Sequence, residues 1–244
     1  MNRIALCSAL LAATLFAGAQ IDLKNTINNA ASQVKSSTGN GSGLSTDDVV
    51  KGLKDALTVG TNNSSSSASK ADGFFKNPKI MIPFPPEAIK VKNTCDKLGM
   101  KSQDDKFVET LNHGAEEAAK SAAPIFLNAI TSMSIEDGFA ILKGCDTAAT
   151  TYLKSKTASA LLDAFKPVVH NALIKVDVTK YWTPLITTYN KDPFAKKVNP
   201  DLDAYVTQKA IDGLFLLIAI EERKIRKDPA AQVTDILKKV FGGL

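Results

Sequence analysis

Four charged side chains towards the C-terminal end of the chain come nearest to a chemical constellation. Glu221, Glu222, Arg223 and Arg226 follow directly on the apolar octet Gly213 to Ile220, GLFLLIAI. An acid leaving an apolar helix at that point keeps its carboxylate partly out of water and needs a partner. Glu222 and Arg226 stand four residues apart with the acid first, the better order for a helical ion pair. Such a run is read either as a polar cluster at the mouth of a helical cleft or as the solvated end of a helix.

The two histidines carry less. His113 has Glu109 four residues before it and Glu116 and Glu117 three and four after it, so all can share one helix face. A carboxylate-bridged di-iron bundle wants Glu-x-x-His on each of two helices with two further carboxylates. Here the order is reversed and occurs once, so the expectation is a solvated histidine on an acidic face, with no metal. His170 is the other imidazole, and no pattern ties either histidine to a nucleophile. Gly41-Ser42-Gly43 sits in a Gly/Ser run and not on a strand-turn-helix elbow. Neither glycine-rich phosphate loop occurs, and no cofactor is expected.

The octet, if helical, is apolar on every side, which predicts the buried axis of a packed domain. It is too short to cross a bilayer, which takes about 20 apolar residues. Around it the chain reads as all-α: a bundle-like domain over residues 44–244 with a buried central helix and one extended, proline-containing strap. Before the domain, Arg3, the apolar run Ile4 to Phe16 and the small residues Ala17 to Ala19 have the form of a secretory signal, residues 1–19, cleaved after Ala19. Residues 20–43 end in SSTGNGSG and read as a flexible tether.

Thr46 or Asp47 is placed to cap a helix with Val49, Val50, Leu53, Ala56 and Leu57 on its face, fading into the serine-rich stretch Asn62 to Ser69. The segment Asp72 to Glu87, DGFFKNPKIMIPFPPE, opens on a turn and becomes the strap. Its Phe74, Phe75 and Phe84, with Tyr181 and Trp182, are expected in the core. Further helices are expected from Pro86 to Leu98, Asp104 to Lys120, and Pro124 onward. Ser134 and Asp137 form a capping-box pattern, and Asp146 is placed to cap the next helix. Pro167 is expected to kink or break the run Ala158 to Val176. Thr179 opens a helix, Leu202 to Lys227 is one long helix, and Asp228-Pro229 starts the last.

Cys7 falls within the signal. Cys95 and Cys145 remain, and in an oxidising compartment they are either a disulfide, stabilising by roughly 4 kcal/mol in the chain-entropy model, or two buried thiols. The formal charge of +5 falls to +4 when Arg3 is removed with the signal. The basic residues are scattered among acids, which argues against nucleic acid as a partner. No transmembrane span is expected in the mature chain.

Several segments together resemble one bacterial family. Asp47 to Thr61, Asp72 to Pro85, the long run Pro124 to Thr157 and the tail Asp201 to Ala231 are similar, in order, to the domain of unknown function 4197. The resemblance implies a mostly helical exported domain of the bacterial envelope and implies no activity. It also implies that arginine and lysine usually stand at the positions of His113 and His170, and that Cys95 and Cys145 are not typical there.

The function expected from these features is a non-enzymatic, periplasmic helical module that binds an envelope protein partner or an apolar ligand. The alternative is an enzyme of unfamiliar type using Glu221 or Glu222 as acid or base. A third reading, a surface anchor through Gln20 to Val34, has only Lys24 and Lys35 to attract lipid.

Overall fold

The computed structural model describes residues 45–97, 101–175 and 201–228, isolated positions between 182 and 199, and Lys238. Among them the chain forms seven α-helices and no strand: α1 (Thr46–Ser69), α2 (Ile89–Lys97), α3 (Lys101–Ala119), α4 (Ala122–Thr131), α5 (Ile135–Lys143), α6 (Ala148–Lys175) and α7 (Leu202–Lys227). A 3₁₀ turn at Pro86–Ala88 leads into α2. The chain is all-α, as its periodicity requires. The expected signal and tether fall outside the described residues, as do most of the helix expected from Thr179 and most of the expected C-terminal helix, of which Trp182, Ile186, Thr187 and Lys238 are described and helical.

The capping chemistry is local and mostly legible. Ser134 and Asp137 form the expected capping box at α5, and Gly144 closes that helix. At α1 the cap is Ser45, one residue before the expected Thr46 and two before the alternative, Asp47. The Ser45 hydroxyl accepts from Asp48 N at 3.1 Å, and the Asp48 carboxylate accepts from Ser45 N at 3.1 Å.

Two helices persist where propensity argues against them. α1 continues through the serine tract to Ser69, with the Thr58, Thr61 and Ser64 hydroxyls each donating to the carbonyl four residues back at 2.8 Å. Those bonds absorb hydroxyls that would otherwise compete for the backbone. Ser64, Ser65 and Ala68 are buried, so tertiary packing supplies what propensity lacks. α6 likewise runs unbroken through Pro167. An interior proline costs about 3 kcal/mol, whereas Leu161, Phe165, Val169 and Leu173 on either side are fully buried, each worth about 1.5–3 kcal/mol.

α7 is the hub, packing on α6, α1 and α3, while α6 also lies against α3 and α4. α6 and α7 are antiparallel: Lys154 lies 3.7 Å from Asp212, and His170 meets Asp203. The octet is not enclosed on every side. Leu214, Phe215, Ile218 and Ala219 are buried, but Leu216 is 40% exposed and continues a line through Gln208, Lys209, Asp212 and Arg223 on the solvent side. No single described helix is long and apolar enough to cross a membrane.

The strap crosses α7 at Gly213, where Phe74 and Ile80 fit against the bare backbone. A β-carbon there would lie 2.9 Å from Phe74 Cε1 and 3.1 Å from Ile80 Cβ. At Gly60 in α1 an added β-carbon would stand 3.7 Å from Ile225 Cδ1 and 3.8 Å from Glu221 Cβ, ordinary contact. The two glycines should therefore respond oppositely to alanine. Gly60→Ala is expected to stabilise by about 0.5–1 kcal/mol through helix propensity. Gly213→Ala is expected to cost about 1–3 kcal/mol through overpacking against a fully buried ring. Urea denaturation of both reads the signs directly, and a stabilised Gly213→Ala would refute the close strap crossing.

Candidate functional site

Two of the four clustered charges turn inward and the others do not. Glu222 and Arg226 are 5% and 11% exposed at the side chain and pair at 3.0 Å, whereas Arg223 is exposed and Glu221 half-buried. Arg223 Nε donates to the Ala219 carbonyl one turn back. The inward pair joins three helices. Glu222 accepts from the backbone N–H of Ala149 at 2.9 Å and of Thr150 at 2.8 Å, and from the Thr150 hydroxyl at 2.8 Å. These are first-turn donors of α6, which lack intrahelical partners and sit at the positive end of the helix dipole. Arg226 Nη2 donates to the Ile141 carbonyl at 2.8 Å, among the last carbonyls of α5. One ion pair on α7 thus caps the end of α5 and the start of α6.

Asp146, expected as the cap of α6, instead pairs with Lys227. The hydrogen bond from Lys227 holds its carboxyl below the usual carboxylate range, and the charges of Lys227, Arg226 and Arg223 act in the same direction against partial burial. The α5–α6 turn is therefore bound to the C-terminal end of α7 by two acid–base pairs, one buried and one exposed.

The strap is fixed by a second polar set on α3. Asn112, fully buried, accepts from Ile82 N at 2.7 Å and donates to Ile82 O at 2.8 Å, much as a neighbouring strand would. One turn on, the buried Glu116 accepts from the N–H groups of Phe74 and Phe75 at 3.0 and 3.1 Å. The strap begins at Asp72, whose φ is +60°, followed by Gly73, where a β-carbon would lie 2.4–2.8 Å from the carbonyl oxygens of Ser67, Ala68 and Lys70. Only glycine fits there. The Asp72 carboxyl lies below its ordinary range, chiefly through a hydrogen bond from Lys76.

These bonds locate the remaining sequence candidates. His113 is half exposed, 3.7 Å from Asp72 and 3.9 Å from Glu116, with its ring edge-on to Phe75. Glu116 does not join an acidic face in water as expected; it turns inward to the strap backbone. Among the described residues no group of three or more His, Cys, Asp or Glu side chains is placed to hold a metal ion. His170 Nδ1 lies 2.5 Å from Asp203 Oδ2. Phe74, Phe84 and Trp182 are buried, with Phe84, Trp182 and Phe107 in mutual ring contact, while Phe75 is half-buried. Tyr181 lies outside the described residues. Cys145 is exposed in the α5–α6 turn, 3.7 Å from the Thr147 hydroxyl, and the Cys95 side chain lies outside the described residues.

The roles of Asn112 and Glu116 were missed by pattern reading, although a signal existed. Leu111, Ala115, Ala118 and Ala119 make the buried face of α3, and the two polar residues fall within it. A polar side chain in an apolar stripe has a buried partner to satisfy. Glu222 gave no signal for its role as a cap, because the donors it serves lie more than 70 residues away.

Beside the Glu222–Arg226 pair, α1 and α7 leave a small open cleft. Leu53, Ala56, Leu57, Gly60, Ile218 and Ile225 form its apolar walls, with the pair along one side. Its enclosed space is about 20 Å³, roughly the room for one water.

No curated protein and no solved structure matches the chain. The model of one family, described as "Protein of unknown function (DUF4197)", matches residues 43–242. That span takes in all seven helices, the strap and the buried pair, and the chain belongs to this family.

Proposed function

We propose that this chain is a helical binding module of the bacterial envelope, exported by its N-terminal signal, that receives an apolar side chain of a protein partner at the α1–α7 cleft. The observation that carries the reading is the state of the cleft's polar wall. Both Glu222 oxygens accept hydrogen bonds from α6, and Arg226 is engaged by Glu222 and by α5 carbonyls, so the walls invite an apolar occupant. The same saturation weighs against the alternative in which Glu222 serves as acid or base, since a reacting group must be able to reach a substrate proton. Size decides between occupants. Sites for whole small molecules enclose about 300–1,000 Å³, far above this cleft, whereas the tip of one apolar side chain needs little more than a methyl-sized recess.

The test is affinity capture from intact envelopes with protein and lipid both identified by mass spectrometry, comparing the native chain with Gly60→Ala. The geometry at Gly60 accepts a β-carbon in ordinary contact with Ile225 and Glu221, so the added methyl takes up the methyl-sized recess while the helix stands. A protein recovered reproducibly by the native chain and lost with Gly60→Ala is the expected result. Equal recovery by both, or no reproducible protein with either, would overturn the reading.

A further inference from the structure

Two carboxylates stand beside the apolar cleft between α1 and α7, and they are in opposite states. Glu222 is buried, with both oxygens engaged by α6 donors and one of them also by Arg226. Glu221, the residue before it, is half-buried, and among the described residues it makes no hydrogen bond or ion pair. It stands three residues after Ile218 and four before Ile225, the two α7 side chains of the apolar wall, so the three follow one flank of the helix. From α1, a β-carbon at Gly60 would lie 3.8 Å from Glu221 Cβ. Glu221 therefore edges the opening, with its carboxylate left to water.

The nearby cations do not relieve it. Arg226 is committed to Glu222 and the Ile141 carbonyl, Arg223 donates to the Ala219 carbonyl, and Lys227 pairs with Asp146. Lys224 is exposed three residues further on, and no ion pair joins it to Glu221. An occupant seated in the cleft takes water from Glu221 as well as from Ile218 and Ile225. A carboxylate that loses water and gains no cation weakens binding. A neutral or acidic segment is thus opposed at the place where its apolar side chain is favoured. A lysine or arginine beside that side chain replaces the penalty with an attraction and steers the encounter.

We propose that the cleft selects a partner segment in which an apolar residue is flanked by lysine or arginine, the apolar tip entering the cleft and the cation pairing with Glu221. This rests on the reading of the cleft as a docking site and names the chemistry of its partner. Glu221 then sets specificity, and Glu222 holds the wall.

The probes are three tripeptides, Lys-Leu-Lys, Gln-Leu-Gln and Glu-Leu-Glu, each acetylated and amidated at its ends so that only the side chains differ in charge. They are titrated into the processed, exported chain, and binding is followed by the δ1-methyl NMR signals of Ile218 and Ile225. Lys-Leu-Lys is expected to bind about two- to fivefold tighter than Gln-Leu-Gln, the worth of one exposed ion pair, and Glu-Leu-Glu to bind most weakly. Salt should narrow the spread. In Glu221→Gln the three affinities should draw together while the thermal unfolding midpoint holds, because the native carboxylate has no partner to lose. In Gly60→Ala all three should weaken alike. If Lys-Leu-Lys binds no tighter than Gln-Leu-Gln, or keeps its advantage in Glu221→Gln, the choice of partner is wrong and the cleft reading stands. If none of the peptides moves either methyl signal, the cleft reading fails and this proposal with it.

Discussion

Glu222→Leu is expected to lower the folding free energy by about 3–5 kcal/mol, the cost of removing one partner of a buried ion pair. For a chain of this size that is a fall of about 6–20 °C in the unfolding midpoint. Three losses contribute. Arg226 is left charged at 11% exposure, the first-turn N–H groups of Ala149 and Thr150 lose their acceptor, and the Thr150 hydroxyl loses its own. A generic buried pair can often be replaced by two apolar residues at no net cost. This one should not allow it. In Glu222→Leu/Arg226→Leu the α6 donors and the Ile141 and Leu142 carbonyls are all left without their side-chain partners. The double variant should therefore recover some stability over Glu222→Leu and still fall short of the native chain. Urea denaturation with an unchanged m-value measures all three proteins on one scale. A loss below about 1 kcal/mol for the single variant, the worth of a surface pair, would show that the pair does not bind the helices together.

Asn112→Leu is the second large effect, expected at about 2–5 kcal/mol. Its amide serves both the N–H and the C=O of Ile82, and each buried backbone group left without a partner costs about 1–3 kcal/mol. Leucine keeps the apolar volume, so the loss reads the hydrogen bonds and not a cavity. The damage should also be local. Ile82 is 1% exposed and held by this one side chain on both its polar groups, so its amide should exchange with solvent much faster in the variant while the α6 amides keep their protection. Uniform loss of protection across all helices would mean that the strap has no separate attachment and unfolds only with the whole domain.

Both effects come from polar side chains that stand in for backbone. A helix satisfies its interior peptides by itself, but its ends and any extended segment do not. This domain has an internal strap and a tight α5–α6 turn, and Asn112, Glu116, Glu222 and Arg226 supply what those segments lack. That use explains why acids and an amide lie in the core of a chain whose described histidines and cysteine remain at its surface.

Much of this architecture could be read from residue order alone. Apolar spacing at i, i+3 and i+4, Ser134 with Asp137, and the Asp72-Gly73 turn each act over four residues or fewer, and local chemistry of that range is written in the sequence. The i, i+4 spacing of Glu222 and Arg226 likewise announced an ion pair. What the sequence could not state is which groups the pair would meet. Ala149 and Ile141 reach it only because α6 runs antiparallel to α7 and α5 ends beside it. The same holds for the serine tract of α1 and for Pro167, where local propensity pointed one way and burial against other helices decided the other. Leu216 shows the converse, an apolar residue in an apolar octet that packing leaves at the surface. Local rules set the caps, turns and amphipathic faces because their energies depend on near neighbours; tertiary packing chose the long-range partners, and with them the buried pair and the strap.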